Sequence, residues 1–187
     1  MKDRRELLLA VLLAVAGGGL ALLAASQTWA RGMVTGPVTI PVAATGRTLA
    51  PLVPALGLVA IATPIVLWAG RRVGRVLAGV VLVLAGLGLA ANAVTTGQDP
   101  ARALREEAGR AVAQQDARPR DVRGSAWPWV ATAGGALTAA SGALTLARGR
   151  RWPAMSARYE RSRPAAGAAR ESARMWDALD RGDDPTA

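Results

Sequence analysis

The chain has 187 residues, 51% of them hydrophobic, with a mean hydropathy of only +0.23 and a formal net charge of +10. It holds no cysteine and no histidine, which excludes a disulfide framework, a thiol nucleophile, a zinc site of the usual ligands and histidine acid–base catalysis. The modest mean hides a segregation: four charge-free apolar runs alternate with charged connections, whereas a soluble domain would mix the two classes along amphipathic elements. The length suits one membrane bundle with no second large domain. A pI near 11.7 would raise nucleic-acid binding in a soluble protein. Here the basic residues flank apolar runs, where they hold helices in place and meet anionic lipid, so the lipid bilayer is the expected partner and nucleic acid is not.

Met1–Glu6 is a basic lead, and Leu7–Ala25 is the first predicted span. A signal peptide also starts basic and ends in small residues, but this run is longer than an ordinary signal core and leads straight into Gln27-Thr28-Trp29. Trp29 is expected as an interfacial anchor. Gly18 continues a small-residue stripe from Ala10 and Ala14 that permits close helix contact. In the first loop, the alternation Val38, Ile40, Val42 after Gly36-Pro37 predicts a small hairpin or extended flap, with Pro41 on an edge strand.

Leu52–Ala69 and Val76–Val94 are the second and third predicted spans, each long enough to cross a core of ~30 Å. Pro64 removes a hydrogen bond to the Ala60 carbonyl and predicts a kink, partly relieved by Thr63. Trp68 is placed at an interface, and Gly79 and Gly86 form a packing seam. Asn92 is the one strongly polar side chain in the spans and is read as an interfacial amide. The short connection between these spans carries Arg71, Arg72 and Arg75, whose charge predicts a cytoplasmic turn.

In Thr95–Ala126, Asp99-Pro100 predicts an N-cap followed by proline at the first helical position. The helix it opens carries Leu104, Ala108, Ala111 and Val112 on one face, which predicts a surface helix capping the bundle or lying on the membrane. Trp127–Ala147 is the fourth predicted span, with Trp127 and Trp129 at the interface. Gly135, Ala139 and their small neighbours at four-residue spacing suit a helix at the bundle centre. The remainder opens on Arg148, Arg150, Arg151 and an interfacial Trp152, then turns Arg/Ala/Pro-rich without a core-forming pattern, which predicts disorder. Near 171–181 a short helix is expected, with Met175, Trp176 and Leu179 as spaced apolar anchors for a protein partner or for the chain's own bundle.

With both termini in the cytoplasm, fifteen basic residues fall inside and eight outside, and the juxtamembrane arginines are inside. The expected fold is therefore all-α and membrane-embedded, in the plasma membrane: a four-helix bundle (7–25, 52–69, 76–94, 127–147) with a small extracellular β-like first loop. An external amphipathic helix and a largely disordered cytoplasmic tail at 148–187 complete it.

Several stretches together resemble a family of small actinobacterial membrane proteins encoded beside tryptophan-biosynthesis genes. They are the first span running into Ser26-Gln27-Thr28-Trp29, the Arg71-Arg72-Val73-Gly74-Arg75 turn, and the terminal Met175-Trp176-Asp177-Ala178-Leu179-Asp180-Arg181-Gly182-Asp183-Asp184-Pro185-Thr186. The resemblance implies a four-helix membrane protein linked to tryptophan metabolism; it supplies no activity and no catalytic residues. The layout is also similar to that of claudins, without their cysteine pair. No nucleophile–base or metal constellation is visible, so neither an enzyme nor a cofactor is expected. The leading expectation is a membrane accessory, scaffold or regulatory protein, self-association being open to it. The alternative is a permease or exporter subunit for an aromatic amino acid or metabolite, with Pro64 as its best feature. Against that alternative, no predicted span contains an ionisable residue.

Overall fold

The structure is a computed structural model that describes residues 2–34, 40–69, 72–111, 119–149, 152 and 176–177. In chain order these form α1 (Lys2–Ser26), β1 (Thr28–Val34), β2 (Ile40–Thr45), α2 (Gly46–Leu49), α3 (Leu52–Ala69), α4 (Arg72–Gln98), α5 (Pro100–Ala111), β3 (Pro119–Gly124) and α6 (Trp127–Arg148). The chain divides into two units at Pro153, and of the second only Trp176 and Asp177 are described, both helical and exposed.

Among the described residues three helices are long and apolar enough to cross a membrane: Asp3–Ser26, Val73–Gln98 and Trp127–Arg148. The apolar stretch Leu52–Leu67 of α3 is shorter than these. α3 runs unbroken through Pro64. Thr63 Oγ donates to the Val59 carbonyl at 2.6 Å, its own preceding turn, and not to the Ala60 carbonyl that Pro64 leaves without a backbone donor.

α1, α3, α4 and α6 form an antiparallel square in which each packs on two neighbours: α1 on α3 and α6, α4 on α3 and α6. Diagonal contact is slight. The most extensive interfaces belong to α6, yet α6 occupies a corner of the square and not its centre. The share of its spanning window that is buried equals that of α4, at 39%. A corner helix must present two faces roughly a right angle apart, and consecutive α-helical residues are ~100° apart. Adjacent small residues therefore serve different neighbours. A Cβ built on Gly134 would stand 2.6 Å from the Gly17 carbonyl oxygen of α1, and one on Gly135 2.7 Å from the Gly86 carbonyl oxygen of α4. Thr138 and Ser141 continue the first face, and Ser141 Oγ donates across to the Ala10 carbonyl of α1 at 2.7 Å. Ala139 and Gly142 continue the second, against Gly86 and Gly79. Gly18 packs similarly onto Gly57 of α3. Such contact replaces side-chain burial with close backbone approach, the mode suited to apolar surroundings.

The outward faces differ. Those of α1, α3 and α4 expose Leu8, Leu12, Leu58, Ile65, Leu77 and Leu84, as lipid-facing surfaces would. That of α6 exposes Ala136, Ala140 and Ala143 in its middle, with Trp129 and Leu146 exposed toward its ends.

The two connections at one end of the bundle make a single antiparallel sheet, ordered β2-β1-β3. Pro41 lies on β2, an edge strand, as its missing N–H requires. The third strand was not expected: residues 119–124 carry one large apolar residue and no alternation. Asp99 caps α5 through Oδ1, which accepts from the Arg102 N–H at 2.9 Å, as the sequence predicts. α5 packs on the sheet, where Leu104 meets Ala30, Ala44 and Val122.

Candidate functional site

The sheet joins the bundle through Trp29. Its Nε1 donates to the Ala24 carbonyl at 2.8 Å, near the carboxyl end of α1, and its ring packs with Ala21, Ala50, Val53, Leu89 and Ala131. A Cβ on Gly46 would stand 2.5 Å from the ring, so α2 closes over it only because glycine is there. Trp29 is thus 1% exposed. This corrects the expected interfacial anchor: the ring faces protein and not a membrane surface. Ser125 fastens the other sheet strand at the same level. Its N–H donates to the Trp29 carbonyl and its Oγ to the Thr28 carbonyl, both at 2.9 Å.

Because strand residues alternate, Ala30 and Gly32 face α5 while Trp29, Arg31 and Met33 face the other way. On that second side lies an open depression of about 1020 Å³, walled by the sheet and by Trp127 at the start of α6. Arg31 of β1 is directly opposite Arg123 of β3, and both line it. Directly opposed like charges destabilise a sheet. Between Arg123 and Arg120 the register shifts, so β3 carries an extra residue. Asp121 sits in this bulge at φ 52°, a left-handed conformation that Asp tolerates better than most residues, and it also lines the depression. Among the described residues no ion pair links Asp121 to either arginine.

The opposite end of the bundle is organised by Arg75. The sequence assigns it to the short cytoplasmic turn between the second and third predicted spans. In fact α4 begins at Arg72, so Arg75 is already helical, and it is 4% exposed. Its Nε donates to the Leu67 carbonyl at 3.3 Å, and Nη1 donates to the carbonyls of Gly149 (3.4 Å) and Trp152 (2.7 Å). The guanidinium therefore satisfies carbonyls at the carboxyl ends of α3 and α6, where orphaned acceptors and the helix dipole favour a cation. Beside it, Arg148 pairs with Glu6, joining the end of α6 to the start of α1.

The remaining predicted positions divide as follows. Gly18, Gly79, Gly86, Gly135 and Ala139 all fall on helix interfaces, but the seam also uses Gly17, Gly134 and Gly142. Trp129 is 55% exposed and Trp127 half-buried. Trp152 is 3% exposed, so its ring too is inside the protein, and its Nε1 has no partner among the described residues. Asn92, half-buried near the end of α4, turns its Oδ1 into the protein, again without a described partner. Arg71, Arg150, Arg151, Met175, Leu179 and the flap at Val38 lie outside the described residues, as do the side chains of Trp68 and Arg72. Among the described residues no group of His, Cys, Asp or Glu could hold a metal ion.

No curated protein matches the chain. A family model described as tryptophan-associated transmembrane protein matches residues 11–186, nearly the whole length. With apolar helices of spanning length packed through glycine, and with that match, the chain belongs to the tryptophan-associated transmembrane protein family.

Proposed function

We propose that this is a four-span, non-enzymatic membrane accessory protein, of the scaffold or regulatory kind, serving tryptophan metabolism from the plasma membrane. α3 is the fourth span, both termini are cytoplasmic, and the sheet with α5 is external. The observation that carries this reading is the packing of the bundle. The Gly17–Gly134 and Gly86–Gly135 contacts bring helix backbones together across the membrane-spanning region, which suits a rigid support better than a conduit. Thr138, Ser141 and Thr145, polar side chains buried inside the bundle, are engaged with backbone carbonyls, whereas charged side chains gather at the two ends, in the sheet and around Arg75. The arginine-rich end suits the cytoplasmic side. In the second unit Trp176 is 67% exposed, which suits an anchor that meets another protein surface, with Met175 and Leu179 beside it in sequence. Tryptophan flux into vesicles carrying the purified chain tests the reading. It predicts flux no greater than in empty vesicles, and saturable flux by the chain alone would replace it with a permease.

A further inference from the structure

The depression on the sheet combines three features that the accessory role alone does not require. Two arginines, Arg31 and Arg123, are held opposite each other on neighbouring strands, a pairing that costs stability unless an anion lies between them. Asp121 contributes a carboxylate at the same rim from a backbone conformation that few side chains adopt easily. Met33 and Trp127 supply apolar surface alongside, and Met33 is 48% exposed. α5 covers the other face of the sheet, and among the described residues this face is the open one.

From this arrangement we infer that the depression binds a free α-amino acid with a large apolar side chain. The arginine pair receives the α-carboxylate through charge-assisted hydrogen bonds, which guanidinium groups form in well-defined planar geometry. Asp121 receives the α-ammonium group. The side chain lies against Met33 and Trp127. A plain anion would leave Asp121 repelling it, and a plain cation would meet two arginines. A zwitterion satisfies all three groups. The inference goes beyond the accessory reading by giving the sheet a ligand of its own. Binding is measured on purified protein regardless of topology or flux, so it can fail while the accessory reading stands, and the reverse.

The test is calorimetric titration of the full chain in phosphatidylcholine nanodiscs with L-phenylalanine. Two truncated probes, 3-phenylpropionate (no ammonium) and 2-phenylethylamine (no carboxylate), are run alongside. Saturable binding of L-phenylalanine is expected, with each truncated probe weaker by about tenfold or more, since each leaves charged groups unpaired. Arg31→Gln and Arg123→Gln should each weaken L-phenylalanine by about tenfold or more. The same substitutions should leave thermal unfolding of the unliganded protein unchanged or raise it, because they relieve like-charge opposition. Asp121→Asn, which tolerates the same backbone conformation, should weaken L-phenylalanine but not 3-phenylpropionate. Absence of L-phenylalanine binding overturns the inference, as does binding indifferent to both arginine substitutions. Equal binding of 3-phenylpropionate and L-phenylalanine overturns it in favour of a simple anion site. Loss of amino-acid binding when phosphatidylglycerol replaces phosphatidylcholine assigns the arginines to lipid headgroups and overturns it likewise.

Discussion

The two ends of the bundle solve one problem with different chemistry. Helix carboxyl ends leave carbonyls without intrahelical donors, and burying them unpaired is costly. At the sheet end, a neutral indole N–H from Trp29 reaches the Ala24 carbonyl of α1, and Ser26 Oγ reaches the Leu23 carbonyl at 2.7 Å. At the other end, a buried guanidinium, Arg75, serves the ends of α3 and α6 together. A neutral donor can sit inside a tight apolar cluster, and Trp29 brings a large ring to fill one. A cation adds attraction to the dipoles of two helices that end there. One end is thus held mainly by packing and the other mainly by polar bonds.

That contrast orders the consequences of mutation. The interfaces that both ends share should be the most sensitive. Gly135→Leu puts a bulky side chain where the Gly86 backbone passes, and loss of the folded bundle in detergent is expected from circular dichroism and size-exclusion profiles. Leu84→Ala, on an exposed face, should change neither. Next comes the packed end. Trp29→Ala removes a fully buried ring and should cost about 3–5 kcal/mol in denaturant unfolding. Trp29→Phe keeps most of the ring and should lose only about 1 kcal/mol, the order of one hydrogen bond. If both variants lose the same amount, the hydrogen bond and not the packing holds this end. At the polar end, Arg75→Met keeps the aliphatic volume but strands three carbonyls, and a loss of about 2–3 kcal/mol is expected. An unchanged stability would mean that those carbonyls find water, and the proposed difference between the ends would disappear. Smallest is Asp99→Ala, which uncaps α5 for about 1 kcal/mol and should show as faster hydrogen exchange confined to α5.

What the sequence showed and what it hid follow from the same physics. The apolar runs stand out because charged residues are excluded from them, and Asp99-Pro100 and Pro41 carry their structural meaning in their own covalent geometry. β3 was hidden because nothing in Pro119–Gly124 alternates; it is a strand only because β1 offers it a partner. The burial of Trp29 is not legible because a tryptophan just past a helix looks the same whether it meets lipid or a returning segment. Only the arrival of Gly46 decides between them. The burial of Arg75 is not legible because its charge marks it as part of the connection, whereas α4 starts before it, at Arg72. In α6 the four-residue spacing of small residues through Gly135, Ala139 and Ala143 points to a helix at the bundle centre. Ala143 is exposed, and the real pattern is two adjacent faces on a corner helix.

The central claim is that the sheet end is external and the Arg75 end cytoplasmic, and single-cysteine labelling tests it directly. The chain has no native cysteine, and Arg120 on β3 and Arg4 at the start of α1 are both exposed. With a membrane-impermeant maleimide on intact cells, Arg120→Cys should label at once and Arg4→Cys only after permeabilisation. The reverse pattern, or equal labelling of both in intact cells, would contradict the account.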